Sequence, residues 1–329
     1  MHARAGACLS RRLADSYQSA HDGYGKVRCI MDSRLKLHPH GFLEVVDRPT
    51  PDELREYYAR SYYQNEKGTY RKEYPADELE VFSLRIAQRA AQACSIRGTD
   101  VPGRLLDVGC GEGFVLRDFD RMGWNVEGID FSRAGVERMN PDFVEQVDQG
   151  DVFELLDWRI KSEEQYDLVW LGNVLEHVLD PIGLLKSLRQ LVNEDGLLIV
   201  TVPNDGNAYQ EELFQKGKIP ERFWIAIPDH MSYFTAASLK QTAEATGWNC
   251  KAMHAGFPID WYLAHEGSNY VVDRARGPSA HKARLMLERH IGMAGPEAAN
   301  TLFSALADVG LGRDLTAFLQ PDAADQSIE

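Results

Sequence analysis

Between residues 104 and 114 the chain passes from an apolar run into three alternating glycines, Leu105-Leu106-Asp107-Val108-Gly109-Cys110-Gly111-Glu112-Gly113. The run before Gly109 reads as a buried strand, and a helical pattern follows from Glu112 to about Met122. Glycine lets the main chain turn sharply and lets a ligand approach it with no Cβ in the way. Between a strand and a helix of a parallel sheet, such a turn makes a nucleotide pocket at the carboxyl edge. The dinucleotide fingerprint G-x-G-x-x-G needs a third glycine at 114, where this chain has Phe114, so the pattern is G-x-G-x-G. That departure counts against a nicotinamide dehydrogenase.

The pattern from 103 onward alternates strand and helix. Strands are expected at 104–108, 125–129, weakly at 143–147, at 167–171 and at 197–202. Helices follow Gly113, Ser132 and Pro181. This order implies right-handed crossovers and a mostly parallel α/β sheet with helices on both faces. Residues 205–234 interrupt the alternation and are too long for an ordinary connection, which suits an inserted lid. Thr235 caps a helix ending at Gly247, Trp248–His254 reads as a late strand, and 281–319 is helix-rich. Earlier, Thr50-Pro51-Asp52-Glu53 is a capping box opening a helix. The division is a disordered tail over 1–30, an N-terminal lid and first helix over 31–102, a core over 103–255 and a helical C-terminal extension over 256–329.

Acidic side chains recur at that same sheet edge. Asp130 ends the second strand 21 residues after Gly109, where a carboxylate can accept hydrogen bonds from ribose hydroxyls. Phe131 follows it. Gly150-Asp151-Val152 follows the weak third strand, and Asn173-Val174-Leu175-Glu176-His177-Val178 leaves the fourth. Asp107 either holds the glycine loop or touches ligand, and Cys110 is a small loop residue with no base at a defined spacing.

Composition narrows the partners. The 329 residues carry a net charge of −14, which argues against a nucleic-acid groove or an anionic membrane. The five cysteines include no C-x-x-C pair, as in a reducing compartment, and the expected location is cytoplasmic. No stretch reaches the ~18 apolar residues of a membrane span. No apolar h-region follows the N-terminal arginines, and Met31 offers a second start. Histidine spacing shows no H-E-x-x-H, so no metal site is expected.

The segments L-L-D-V-G-C-G-E-G, G-I-D-F-S, N-V-L-E-H-V-L-D-P, G-L-L-I-V-T-V-P-N and F-W-I-A-I-P-D-H-M-S-Y-F-T occur in order. Over about 103–255 they resemble the class I S-adenosylmethionine (SAM) dependent methyltransferases, closest to the type 23-like subgroup with ubiquinone-pathway and sugar O-methyltransferases. The resemblance implies a Rossmann-like seven-stranded sheet and SAM as cofactor, with S-adenosylhomocysteine (SAH) as product. It implies cofactor contacts from Asp107, Gly109, Gly111, Gly113, Asp130, Phe131, Asp151, Val152 and Asn173, with Asp151 at the adenine amino group. A Cys-rich zinc module, found in related sugar C-methyltransferases, is absent, and so is the N-P-P-Y motif of adenine and amide methylation. The expected acceptor is a small-molecule hydroxyl on a sugar, glycan intermediate or quinol. An amino-sugar nitrogen and a SAM-binding protein without turnover are the alternatives. A hydroxyl acceptor needs a base, and His177 is favoured over His230. Residues 257–270 are left open as a surface for a lid or for a second subunit in a homodimer.

Overall fold

The computed structural model describes residues 32–54, 56, 57 and 73–322. The proposed tail over 1–30 and residues 58–72 of the N-terminal lid lie outside the described residues.

Strand β3 (Arg104–Val108) is buried at Leu105, Leu106, Asp107 and Val108, as a central strand covered on both faces must be. It sits among seven strands in the order β5-β4-β3-β6-β7-β10-β9. These are β4 (Asn125–Asp130), β5 (Val147–Gln149), β6 (Tyr166–Gly172), β7 (Val192–Pro203), β9 (Trp248–Ala255) and β10 (Asp314–Pro321). Alternate side chains feed two cores. Leu106, Val108, Val169, Leu171, Leu198 and Val200 face one, while Leu105, Leu168, Trp170, Leu197 and Ile199 face the other. The first face is covered by α4 (Val152–Lys161), α5 (Pro181–Leu191) and α7 (Ala236–Glu244). The second is covered by α1 (Ala76–Arg97), α2 (Phe114–Arg121) and α3 (Ala134–Met139). Each fully buried Leu stabilises this arrangement by roughly 1.5–3 kcal/mol.

The chain runs outward from β3 to β4 and β5, then returns to β6 on the other side of β3. That reversal opens a crevice at the carboxyl ends of β3 and β6, where ligands of doubly wound sheets bind. The expected third strand at 143–147 begins later. Pro141–Gln146 is a 3-10 turn, and β5 occupies only Val147–Gln149. Helix α2 begins at Phe114 rather than Glu112, because Gly113, at φ 74°, is still in the left-handed region.

The expected boundary at 255 needs correction. Helices α8 (Gly277–Met293) and α9 (Pro296–Asp308) do follow it, but β10 then returns into the core sheet between β7 and β9. Residues 256–329 are therefore not solely a helical extension. Leu315, Ala317 and Leu319 face one core and Phe318 the other, the signature of a strand buried on both faces. Strand β10 runs antiparallel to β7, with Asp314 opposite Pro203 and Thr316 opposite Thr201. An antiparallel strand enters a sheet where its parallel neighbours end, so the residue just before β10 arrives at the crevice. A second sheet of three strands joins β1 (Leu35–Leu37) and β2 (Leu43–Val45) to β8 (Ser232–Tyr233) in the 205–234 insertion. Helix α6 (Ala208–Gln215) also lies in that insertion.

Candidate active site

Three features of the loop after β3 follow from its glycines. Gly109, Gly111 and Gly113 have φ of 74°, 54° and 74°. A Cβ on Gly109 would lie 2.3 Å from Val174 Cγ2, so the loop packs directly against the segment leaving β6. The Gly109 N–H donates to the Ile129 carbonyl at 2.8 Å, tying the end of β3 to the end of β4. Asp130 completes the tie, since its carboxylate accepts from Gly111 N–H at 2.8 Å and from Ser132 N–H at 2.9 Å. Burial pushes the Asp130 carboxyl up, and these two N–H groups oppose the push.

The crevice is a pocket of about 790 Å³. Gly109, Gly111, Asp130, Phe131, Asp151 and Val152 line one end, as does Asn173. Phe131 is part of that lining and remains 39% exposed. Asp151 caps α4, its Oδ1 accepting from Phe153 N–H at 2.9 Å and Glu154 N–H at 3.3 Å. Asn173 stands at φ 56°, a strained position for a residue with a Cβ, and donates its N–H to Thr201 O at 2.9 Å.

Asp107 and Gly113 stand behind the loop rather than on the wall of the pocket. Asp107 is 2% exposed, and its Oδ2 has no hydrogen-bond partner. Burial, and next the Asp130 charge, hold its carboxyl well above the usual range. Gly113 is tight for another reason, since a Cβ there would lie 2.8 Å from Val136 Cγ2 on α3. Gly135, which the sequence reading did not single out, does the same from the helix side. Its Cβ would lie 2.5 Å from the Gly111 carbonyl oxygen.

At the other end of the pocket the structure brings His177 and His230 together, 53 residues apart in sequence. Their rings meet edge to face at 5.1 Å between centroids. Met231 and Ser232 donate their N–H groups to the Glu176 carbonyl at 2.7 and 3.1 Å, which seats the insertion against the segment after β6. His177 Nδ1 is 2.8 Å from the Asp229 carbonyl. A carbonyl only accepts, so this nitrogen carries the proton and Nε2 carries the lone pair. Burial lowers the His177 pKa, with Asp229 opposing. His230 Nδ1 is 3.2 Å from Asp205 Oδ2. Glu176 is 1% exposed, its Oε2 unpartnered, and burial pushes its carboxyl well above the usual range, which favours the neutral acid.

Glu176, expected at this sheet edge beside His177, belongs to this end, and so do Asp205, Asp229 and Arg313, which were missed by sequence reasoning. Only topology gathers them, although Glu176 and Asp229 adjoin the two histidines. Donor atoms of Glu176, His177 and His230 all lie within 4.8 Å of one another, close enough for one cation to bridge. Motif spacing could not reveal that cluster, since its members come from two distant segments.

A sheet in this order, with a glycine loop at the reversal, an acidic residue ending β4 and another capping α4, defines the class I SAM-dependent methyltransferase fold. The methyltransferase domain family model matches residues 68–252, more than half of the chain, and the chain belongs to that family. The ubiquinone biosynthesis O-methyltransferase of Haemophilus ducreyi is 31% identical over 184 residues, 51% of this chain and 76% of that protein. Its counterpart from Aeromonas salmonicida is 31% identical over 154 residues, 44% of this chain and 62% of that protein. Two further relatives of that description are matched over 46% and 43% of their length, so the chain spans about half the length of several curated relatives. Among solved structures, Burkholderia thailandensis 1,6-didemethyltoxoflavin-N1-methyltransferase is 16% identical with TM-score 0.49, covering 88% of this chain and 100% of that one. Among the described residues, no helix is long and apolar enough to cross a membrane.

Proposed function

We propose that this protein transfers a methyl group from SAM to a hydroxyl of a small molecule, a quinol-type phenol before a sugar. One observation carries the reading: a single pocket joins the glycine-loop end to the paired histidines. The O-methyltransferase description of the relatives supports oxygen over nitrogen as acceptor.

SAM supplies an already activated methyl on a sulfonium, so the protein's task is binding, alignment and proton removal. Asp130 offers its remaining lone pairs to the ribose hydroxyls while it holds the loop. Asp151 and Val152, with the Phe131 ring, form the adenine end. Gly109 and Gly111 bring the main chain against the cofactor, and Asn173 turns the β6 segment toward it. Asp107 stands buried behind the loop with an unpartnered oxygen, so its effect on the cofactor passes through the loop. Holding the acceptor oxygen in line with the methyl–sulfur bond can supply roughly 7–11 kcal/mol of the barrier. A histidine at the far end takes the hydroxyl proton as the oxygen attacks, an effect typically worth about 10²–10⁴-fold. Both His177 and His230 present themselves, and the acceptor passes between them and the loop.

The test is calorimetry with SAM, SAH and NAD, followed by SAH release with catechol, a hydroquinone and a sugar nucleotide. Binding of SAM and SAH without NAD, and turnover on at least one hydroxyl probe, is the expected result. Asp130→Ala is expected to lose at least tenfold in SAM affinity, because it removes hydrogen bonds to a charged group worth about 1.5–3 kcal/mol. NAD binding alone, or turnover only on amines, would overturn the reading.

A further inference from the structure

We infer that Asp205 and Arg313 are positioning residues for His230, holding its imidazole with the Nδ1 proton turned inward and Nε2 open to the pocket. The inference rests on the proposed reading of this pocket and adds two residues that none of its sequence motifs assigns a role.

Asp205 has a side chain 1% exposed. One of its oxygens, Oδ2, lies 3.2 Å from His230 Nδ1, and the other, Oδ1, accepts from Arg313 Nη1 at 2.9 Å. An ionised carboxylate accepts and cannot donate, so the ring nitrogen facing it carries the proton. A carboxylate this deep needs a compensating charge, and the Arg313 guanidinium provides it. The other groups facing His230 do not fix its ring in this way. Asp229 Oδ2 stands 4.0 Å from Nε2 on a side chain 39% exposed. His177 meets the ring edge on at 5.1 Å, and the Tyr233 ring lies 6.1 Å away. Glu176 stands 3.6 Å from His177 Nε2 and has an oxygen within 4.8 Å of a His230 ring nitrogen, with no hydrogen bond to it.

The pair is preset by the core sheet. Asp205 follows β7 by two residues and Arg313 precedes β10 by one, and those strands register Pro203 against Asp314. Asn204 clamps the join, donating its N–H to the Arg313 carbonyl at 2.9 Å and its Nδ2 to Gly312 O at 3.1 Å. Gly312 has φ 106°, and a Cβ there would lie 2.5 Å from the Ala255 Cβ, so the turn before Arg313 cannot easily move. Asp205 is the first residue of the 205–234 insertion, anchored at the end of β7, whereas His230 lies far along that insertion. The sheet thus holds a fixed carboxylate against which the inserted segment docks its imidazole. A carboxylate that fixes tautomer and ring orientation without titrating is how a buried acid serves a catalytic histidine.

The test uses full-length protein, ¹⁵N-labelled at histidine and saturated with SAH. Wild type and Arg313→Lys are expected to show the His230 Nδ1–H tautomer with a slowly exchanging Nδ1 proton. Asp205→Asn presents an amide that can donate as well as accept, and is expected to shift His230 toward Nε2–H. Arg313→Gln is expected to lose the protection of the Nδ1 proton. In a second arm, methylation of catechol should slow at least tenfold in kcat for Asp205→Asn, with unchanged KM for SAM. Arg313→Lys should recover most of what Arg313→Gln loses. Should Asp205→Asn fail to fold, the two Arg313 variants still decide. Identical His230 spectra in every folded variant, or equal losses in kcat and SAM affinity, would overturn the inference. A wild type that binds SAM and methylates no hydroxyl probe would sink the proposed function instead, while the spectra still judge the positioning.

Discussion

Asp107 is a carboxylate in a place that disfavours its charge. Burial, reinforced by Asp130, raises its pKa in the folded state above the ordinary value near ~3.9. Over the interval between those two values the folded protein binds more protons than the unfolded chain. Its contribution to stability is therefore complete below about 3.9 and is lost as pH rises through the folded value. Asp107→Asn keeps the shape and removes the charge. The ligand-free variant is expected to melt higher than wild type, with the gap widening as pH rises from about 3.9 toward the raised folded value, and to bind SAM at least tenfold more weakly. Thermal melts and calorimetry check both halves, and identical melts across that range would contradict the placement. The Glu176, His177 and His230 cluster yields a second test at this scale. Read as proton-handling groups, they require no ion, so exhaustive dialysis against EDTA should leave kcat unchanged. Activity lost on dialysis and restored by zinc or magnesium would instead make the three side chains ligands.

Among the elements, α3 governs the cofactor loop through its closest approach to it. Gly135 brings the helix so close to Gly111 that a methyl group would sit 2.5 Å from its carbonyl oxygen and 2.9 Å from its carbonyl carbon. Both neighbours are main-chain atoms, so no flexible side chain can swing away. Gly135→Ala should cost about 1–3 kcal/mol of stability, as overpacking does, and should weaken SAM binding more than tenfold. Urea unfolding alongside calorimetry would show it, and wild-type affinity would mean the loop tolerates the displacement. Nothing in the sequence marks Gly135, because the reason for it is a helix meeting a loop 24 residues away. Strand β3, the glycine turn, β4 and the end of β7 were legible, because their signal is local: apolar runs broken by glycine or acid at set spacing. Strand β10 was not. Its residues Asp314-Leu315-Thr316-Ala317-Phe318-Leu319 lack the polar alternation of a half-buried strand, and two helices precede it. Arg313 and Asp205 were hidden for the same reason, since the register of β10 against β7 is what joins them.

For the molecule as a whole, the late return of β10 makes stability depend on groups that the pocket does not use. His254, on β9, stacks edge to face against the Phe318 ring of β10 at 5.0 Å, and its Nδ1 has no hydrogen-bond partner. Burial, and next the Arg89 charge, lower its pKa to about 4. In the unfolded chain it titrates near ~6.5, so below that value the unfolded state takes up a proton that the folded state refuses. The stability His254 contributes is complete above about pH 6.5 and is lost as pH falls toward 4. At about 1.36 kcal/mol per pKa unit, the full loss comes to about 3 kcal/mol. His177, also lowered by burial, acts in the same direction, while Asp107 and Glu176, both raised, lose their contributions as pH rises. The fold is thus loosened from the acid side by its buried imidazoles and from the alkaline side by its buried acids. His254→Gln replaces the imidazole with a neutral group and should remove about 2–3 kcal/mol of the decline in unfolding free energy between pH 7 and pH 4. Urea titrations at half-unit steps, wild type against variant, measure that difference directly. Parallel curves would show that His254 takes up its proton in the folded state, and the β9–β10 pair would then have to open to admit it.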